Sequence, residues 1–290
     1  MAEARSYAQP RAARRRAVRR RAALPVLILA LAVALAPVAE AKTWPSQPYP
    51  ASKRVAAARE FAAAASGTVA FAVIDSDGGL RGYDAGDAFS SASASKALLL
   101  AAELRRLLAA HEPLDAGTRS LLESMITASD NDAASAIYAR VGDAGMDQVA
   151  DAAGMRSFSV DPGFWGGAQL TAADLARFYF HLNHNLAGPY RRYGKRLLAR
   201  VVSSQRWGIP AAAPRRWRVY LKGGWRPAGM EGTTGAVTHQ GALLVDRSGR
   251  RVGLAILTDL APGSTSYAIL EGITERLLAE PPQTLRWVAP

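Results

Sequence analysis

The apolar positions change rhythm several times along the chain. An Ala-rich stretch from about Ala51 to Ala65 predicts a helix. Thr68 to Ile74 (TVAFAVI) is β-branched and apolar, as a strand requires, and Asp75-Ser76-Asp77-Gly78-Gly79 turns the chain into a short second strand near Leu80 to Tyr83. From Ser93 onward the pattern is helical: Ser93 to Ala110, about Asp115 to Thr127, Asp132 to Val141, and Asp143 to Ala153 closed by Gly154. Thr171-Ala172-Ala173-Asp174 reads as a capping-box variant opening another helix, and Tyr190 to Gln205 predicts one more. Strand patterning then returns in Trp217 to Lys222, Gly235 to Val245 and Val252 to Asp259, the last two joined by the turn Asp246-Arg247-Ser248-Gly249. Tyr267 to Ala279 closes the chain as an amphipathic helix carrying Ile269, Leu270, Ile273, Leu277 and Leu278.

This order implies an α+β fold: an antiparallel β-sheet built from both chain ends and flanked by helices, with an inserted all-helical domain. The helical part is expected over residues 93–205, and the α/β part over 51–92 plus 206–290. An active cleft is expected where the two parts meet.

Charge and composition modify this picture mainly at the N-terminus. The formal net charge is +12, but the first 41 residues hold eight of the 36 Lys and Arg against only Glu3 and Glu40. The remainder keeps 28 basic and 22 acidic residues, a net of +6, too mild for a nucleic-acid footprint. Those 41 residues have the three-part layout of an export signal: an Arg-rich stretch to Arg21, an apolar run from Leu24 to Ala36, and Ala39-Glu40-Ala41. The apolar run has 13 residues, where a spanning helix needs about 20, so cleavage after Ala41 is expected rather than a lasting membrane anchor. The mature chain, 42–290, is then a secreted or extracytoplasmic monomer. Cysteine is absent, which excludes disulfides and thiol chemistry, and the four histidines form no His-Glu-x-x-His. No metal and no cofactor is expected.

Three short motifs carry chemistry. In Ser93-Ala94-Ser95-Lys96 the spacing of three places both functional side chains on one face of a helix start, where the helix dipole favours negative charge on the serine oxygen. Burial can lower the lysine pKa until it accepts a proton. An N-capping serine beside a solvated lysine is the plainer alternative, but Lys96 precedes Ala-Leu-Leu-Leu-Ala-Ala, a run suited to a buried helix. Ser129-Asp130-Asn131 falls between two helices, where a polar turn and cap is an even alternative. Lys222-Gly223-Gly224-Trp225 stands at the predicted end of a strand.

These motifs, in this order, resemble the class A β-lactamase and penicillin-binding-protein superfamily, whose set is Ser-x-x-Lys, Ser-Asp-Asn and Lys-Thr-Gly. Phe89, the lead Met125-Ile126-Thr127-Ala128, and the strands and helix after Lys222 extend the likeness over nearly all of the mature chain. The resemblance implies Ser93 as acylated nucleophile, Lys96 as its proton acceptor, Ser129 as the group that hands a proton to the leaving nitrogen, and Lys222 as electrostatic support for that relay. It also implies that Asn131 binds the substrate's amide carbonyl, that Gly224 and Trp225 line the substrate, and that the backbone N–H groups of Ser93 and Trp225 form an oxyanion hole. Asp130 is expected to be a structural hydrogen-bonder.

Two departures stand out. Gly223 replaces the usual Thr or Ser, removing a hydroxyl that helps bind the substrate carboxylate. The stretch Ser157 to Leu170, where class A enzymes keep the glutamate that activates the deacylating water, contains no Glu, and its only acid, Asp161, is the candidate substitute in deacylation, with a structural role as the alternative. The interval between the first two motifs is also short for class A, implying a trimmed helical domain. The expected activity is acyl transfer through Ser93 on a β-lactam or a related amide or ester, with slow deacylation. The alternatives are a D-alanyl-D-alanine peptidase or esterase using the same residues, and a non-catalytic module that binds penicillin or cell-wall peptide. No Gly-x-Ser-x-Gly occurs, which argues against an α/β-hydrolase triad.

Overall fold

A computed structural model describes residues 48–77, 79–229, 235–261 and 266–279. The export signal expected over residues 1–41 lies outside them. In chain order the elements are α1 (Ser52–Ala63), β1 (Thr68–Ile74), β2 (Leu80–Tyr83), β3 (Ala88–Ser90), α2 (Lys96–Ala109), α3 (Ala116–Glu123), α4 (Asn131–Ala153), β4 (Gln169–Thr171), α5 (Ala172–Phe180), α6 (Leu182–Asn185), α7 (Arg191–Ala199), α8 (Ile209–Ala212), β5 (Arg218–Arg226), β6 (Ala236–Val245), β7 (Arg251–Leu260) and α9 (Ser266–Leu278). None of the described helices is long and apolar enough to cross a membrane.

The main sheet runs β2-β1-β7-β6-β5, every pair antiparallel, so its strands come from both ends of the chain as the pattern predicted. Its two faces bury different sets of side chains. In β1, Val69, Phe71 and Val73 point into the core under α1 and α9, while Ala70, Ala72 and Ile74 point into the core shared with the helical part. The period of two is intact, but burial on both faces makes the strand read as one continuous apolar run. Small residues let α5 lie close to the sheet: a Cβ on Gly253 would stand 2.5 Å from the Ala176 carbonyl.

The helical part keeps Leu98, Leu99, Leu100 and Leu104 of α2 fully buried, each contributing roughly 1.5–3 kcal/mol of burial free energy. Gly142 interrupts α4 with φ 59° and ψ −173°, so the two predicted helices are its two arms on either side of a kink. Thr171 caps α5 by accepting from the Asp174 N–H at 3.1 Å. The reciprocal half of a capping box is missing, because the Asp174 carboxylate instead accepts from the N–H groups of Arg156 and Ser157 at 2.8 and 3.1 Å.

Three sequence expectations need correction. The helix expected over Tyr190 to Gln205 is broken: α7 ends at Ala199, and single turns cover Gly188–Tyr190 and Ser203–Gln205. Its break is fixed from outside, by a Val202 N–H bond to the Thr127 carbonyl at 3.0 Å. The helix expected to run to Thr127 changes at Ser124 to a wider π turn ending at Ala128. Lys222 does not end a strand; it lies in the middle of β5, which continues to Arg226.

Candidate active site

Ser93 lies in a tight turn, Ala92–Ser95, immediately ahead of α2, and Lys96 is the first residue of that helix. Ala92 adopts φ 45°, a left-handed backbone that costs a non-glycine residue about 1–2 kcal/mol. Its neighbours impose it: the Ala92 N–H donates to the Gly166 carbonyl at 3.0 Å, and the Ser95 hydroxyl donates to the Ala92 carbonyl at 2.8 Å. Contacts of this kind fix the backbone of the turn that carries the half-buried Ser93.

The second motif meets the first through Lys96. Its side chain is fully buried, and Nζ donates to the Ser129 carbonyl (2.6 Å), the Ser129 hydroxyl (3.2 Å) and Asn131 Oδ1 (2.7 Å). The chain reaches this arrangement because Ser129 takes the left-handed conformation (φ 63°) after the π turn, and Asp130 then caps α4 by accepting from the Ala133 N–H at 3.0 Å. Asp130 is therefore a structural acceptor, and it also acts on Lys96 at a distance. Burial pulls the Lys96 pKa down to about 8, against the attraction of the Asp130 carboxylate, which raises it. A lysine poised there has a substantial neutral fraction near neutral pH, as a proton acceptor needs.

The third motif closes on the same point. A Cβ on Gly224 would lie 2.6 Å from the Ala94 nitrogen and 2.8 Å from the Ser93 nitrogen, so only glycine lets β5 pass this close to the nucleophile's backbone. Lys222, two residues earlier on the same strand, is fully buried and donates to the Gly223 carbonyl at 3.0 Å. Burial first, and repulsion from Lys96 second, hold its pKa well below the ordinary lysine value. The Trp225 ring stands over it at 5.7 Å and is 42% exposed.

Several supporting groups escaped the sequence reading. The Trp165 ring lies 4.7 Å from Lys96 Nζ, and its indole N–H donates to the Ser135 hydroxyl at 3.3 Å. Arg226 donates to the Ser90 hydroxyl (2.9 Å) and the Gly166 carbonyl (2.7 Å), tying the turn before Ser93 to the loop that carries Trp165. Buried His239 receives the Thr258 N–H on Nδ1 at 3.2 Å, so its Nε2 carries the proton and donates to the Ser90 carbonyl at 2.9 Å. Burial lowers its pKa to about 4, consistent with a neutral, structural ring. Nothing in the spacing of these residues marks them. Asp161 is exposed, lines a groove with Phe89, Ser90 and Asp259, and makes no hydrogen bond to Ser93, Lys96, Ser129 or Lys222. Among the described residues no three His, Asp or Glu side chains converge as a metal site would require.

Comparison with known proteins agrees with this arrangement. A class A β-lactamase representative from Bacteroides cellulosilyticus superposes with a TM-score of 0.69 at 14% identity, covering 79% of this chain and 97% of that one. A class A β-lactamase from Mycobacterium abscessus gives 0.66 at 18% identity, over 77% and 97% of the two chains. A mutant of PBP-A, solved as its acyl-enzyme complex with penicillin G, gives 0.66 at 16% identity, over 80% and 97%. No curated protein matches the chain. The sequence family described as the β-lactamase enzyme family matches residues 111–279, a stretch that starts after Ser93 and Lys96 and includes Ser129, Asn131 and Lys222. With more than half of its 290 residues matched and the fold shared, the chain belongs to the β-lactamase enzyme family and is a β-lactamase-like serine hydrolase.

Proposed function

We propose that the protein transfers acyl groups through Ser93, with a β-lactam or a related amide or ester as donor, and that its acyl-enzyme is hydrolysed slowly. One observation carries the reading: Lys96 is buried against Ser129 and Asn131 by three hydrogen bonds, so the base of the first motif and the proton carrier of the second form one unit. Neutral Lys96 accepts the Ser93 proton as Oγ bonds to the carbonyl carbon. Ser129 hands a proton to the departing atom, with Lys222 as the group that supports this relay. The Ser93 and Trp225 N–H groups receive the oxyanion, and Asn131, released from Lys96, binds the substrate amide. That a PBP-A mutant holds penicillin G as an acyl-enzyme supports a penicillin as one donor.

Slow deacylation follows from what stands over Lys96. The indole of Trp165 occupies that space, and an indole cannot take a proton from water. The export signal read at residues 1–41 supports action outside the cytoplasm. Intact-protein mass spectrometry after exposure to penicillin G and to an activated ester tests the proposal. A stable adduct on the wild type that is absent from Ser93→Ala is expected. An adduct on Ser93→Ala overturns the assignment, and no adduct with any donor favours a non-catalytic binding module.

A further inference from the structure

Gly223 stands where relatives by resemblance carry a threonine or serine hydroxyl, and the space beside it is not vacant. A Cβ placed there would lie 3.2 Å from Cη2 of Trp207. That indole stacks on Tyr267, with ring centroids 4.5 Å apart and planes 17° from parallel, and meets Trp225 edge-on at 6.2 Å. Trp225 and Tyr267 are 42% and 46% exposed, among the few large apolar side chains that face solvent. Three rings therefore form a wall that begins one residue from Gly224, the strand's point of contact with Ser93.

Neighbouring polar groups are committed elsewhere. Gln240 donates to the Trp207 carbonyl at 2.7 Å and accepts from the Ile209 N–H at 2.7 Å, and Glu271 accepts from the Gly208 N–H at 3.2 Å. These bonds hold Trp207 in place, so the wall is preformed and little ordering is needed on binding. Glu271, a partly exposed carboxylate beside Trp207, would repel a ligand carboxylate. A carboxylate would meet the negative faces of the rings, and Lys222, the lysine 5.7 Å from the Trp225 ring, is fully buried and donates to a backbone carbonyl.

We propose that Trp207, Trp225 and Tyr267 form a subsite for an uncharged aryl group on the leaving side of the acyl donor, so that the favoured substrates are neutral aryl esters rather than carboxylate-bearing β-lactams. The reaction rests on the reading of Ser93 as nucleophile. Ser93 Oγ bonds to the ester carbonyl carbon and the carbon–oxygen bond to the aryl group breaks. The serine proton goes to Lys96, and the phenolate departs with a proton through Ser129. The leaving group is assigned to the wall because Trp225 stands over Lys222, the lysine beside that proton path.

Two measurements on the full protein test this. The first is binding of non-cleavable ligands, read from tryptophan fluorescence: phenetole against 3-ethoxybenzoate. The neutral ligand is expected to bind about tenfold more tightly. The second is acylation by phenyl acetate against 3-carboxyphenyl acetate, with the neutral ester expected to have the larger kcat/KM by a similar factor. In Tyr267→Ala, an exposed position that tolerates change, KM for phenyl acetate should rise with kcat little altered, and in both Tyr267→Ala and Trp225→Ala the preference should shrink to about threefold or less. Tyr267→Phe should restore it. Equal binding of the two ligands by the wild type, or a preference unaltered in both alanine variants, overturns the subsite. Selective binding without acylation by any donor would leave the subsite standing and remove Ser93 as nucleophile.

Discussion

The indole of Trp165 lies 4.7 Å from the Lys96 ammonium, in the loop where class A relatives by resemblance keep a glutamate. A ring in that place screens the lysine and supplies no base. Trp165→Glu should therefore shorten the acyl-enzyme lifetime by about tenfold or more, toward the roughly 10²–10⁴ that a placed general base contributes. Trp165→Phe loses only the bond to Ser135 and should keep the long lifetime. Time-resolved mass spectrometry of the penicillin adduct measures both, and an equally long lifetime in Trp165→Glu would count against the account.

Asp161 provides the contrast. It is the only acid between Ser157 and Leu170, yet its side chain faces solvent beside Phe89 and Asp259. Asp161→Asn should leave both labelling and adduct lifetime unaltered. A longer lifetime in that variant would make Asp161 the deacylating group.

The pH dependence follows from Lys96. Its pKa of about 8 in the folded protein means that the neutral form, the one able to accept a proton, grows as pH rises through that value. Acylation should accordingly increase from about pH 7 to about pH 9 and then level off. Asp130 holds the pKa up by its charge, so Asp130→Asn should move the midpoint to lower pH. Asparagine caps a helix as well as aspartate does, so folding should survive the change. A midpoint that does not move would separate Asp130 from the base.

How much of this was legible in the sequence depended on the reach of the interactions. β1 was read to the residue, because the six apolar positions after Thr68 are buried by neighbours on both faces and no local signal competes. The strands β3 and β4 have three residues each, too few to show a period, and they exist only because they pair with each other. Lys222 was placed at a strand end, although the strand runs on through Gly223 and Gly224 to Arg226. Those glycines serve close approach, Gly224 to the Ser93 backbone and Gly223 to the Trp207 ring, and the ladder continues opposite His239 and Thr238. The three motifs were visible as residues, whereas Trp165, Arg226 and His239 act through contacts between distant segments that no spacing records.

The closeness of Gly224 to the nucleophile gives the sharpest mutational test. Gly224→Ala puts a methyl group within 2.6–2.9 Å of the Ala94 nitrogen, the Ser93 nitrogen and the Ser91 carbonyl oxygen, all backbone atoms that cannot rotate away. Either β5 or the turn carrying Ser93 must move, at a cost of about 1–3 kcal/mol for overpacking. A shift of about 1 Å at the reacting centre can cost about 10²-fold in rate. Gly223→Ala meets only the edge of a side chain, Trp207, at 3.2 Å, with the nearest backbone atom at 3.4 Å, so a small ring displacement relieves it. The two variants, one residue apart on one strand, should therefore diverge. Gly224→Ala should acylate about a hundredfold more slowly and melt at a lower temperature, while Gly223→Ala keeps its acylation rate with an activated ester. Thermal melts and adduct formation measured side by side decide it, since equal behaviour would mean that β5 does not hold the backbone of Ser93 in place.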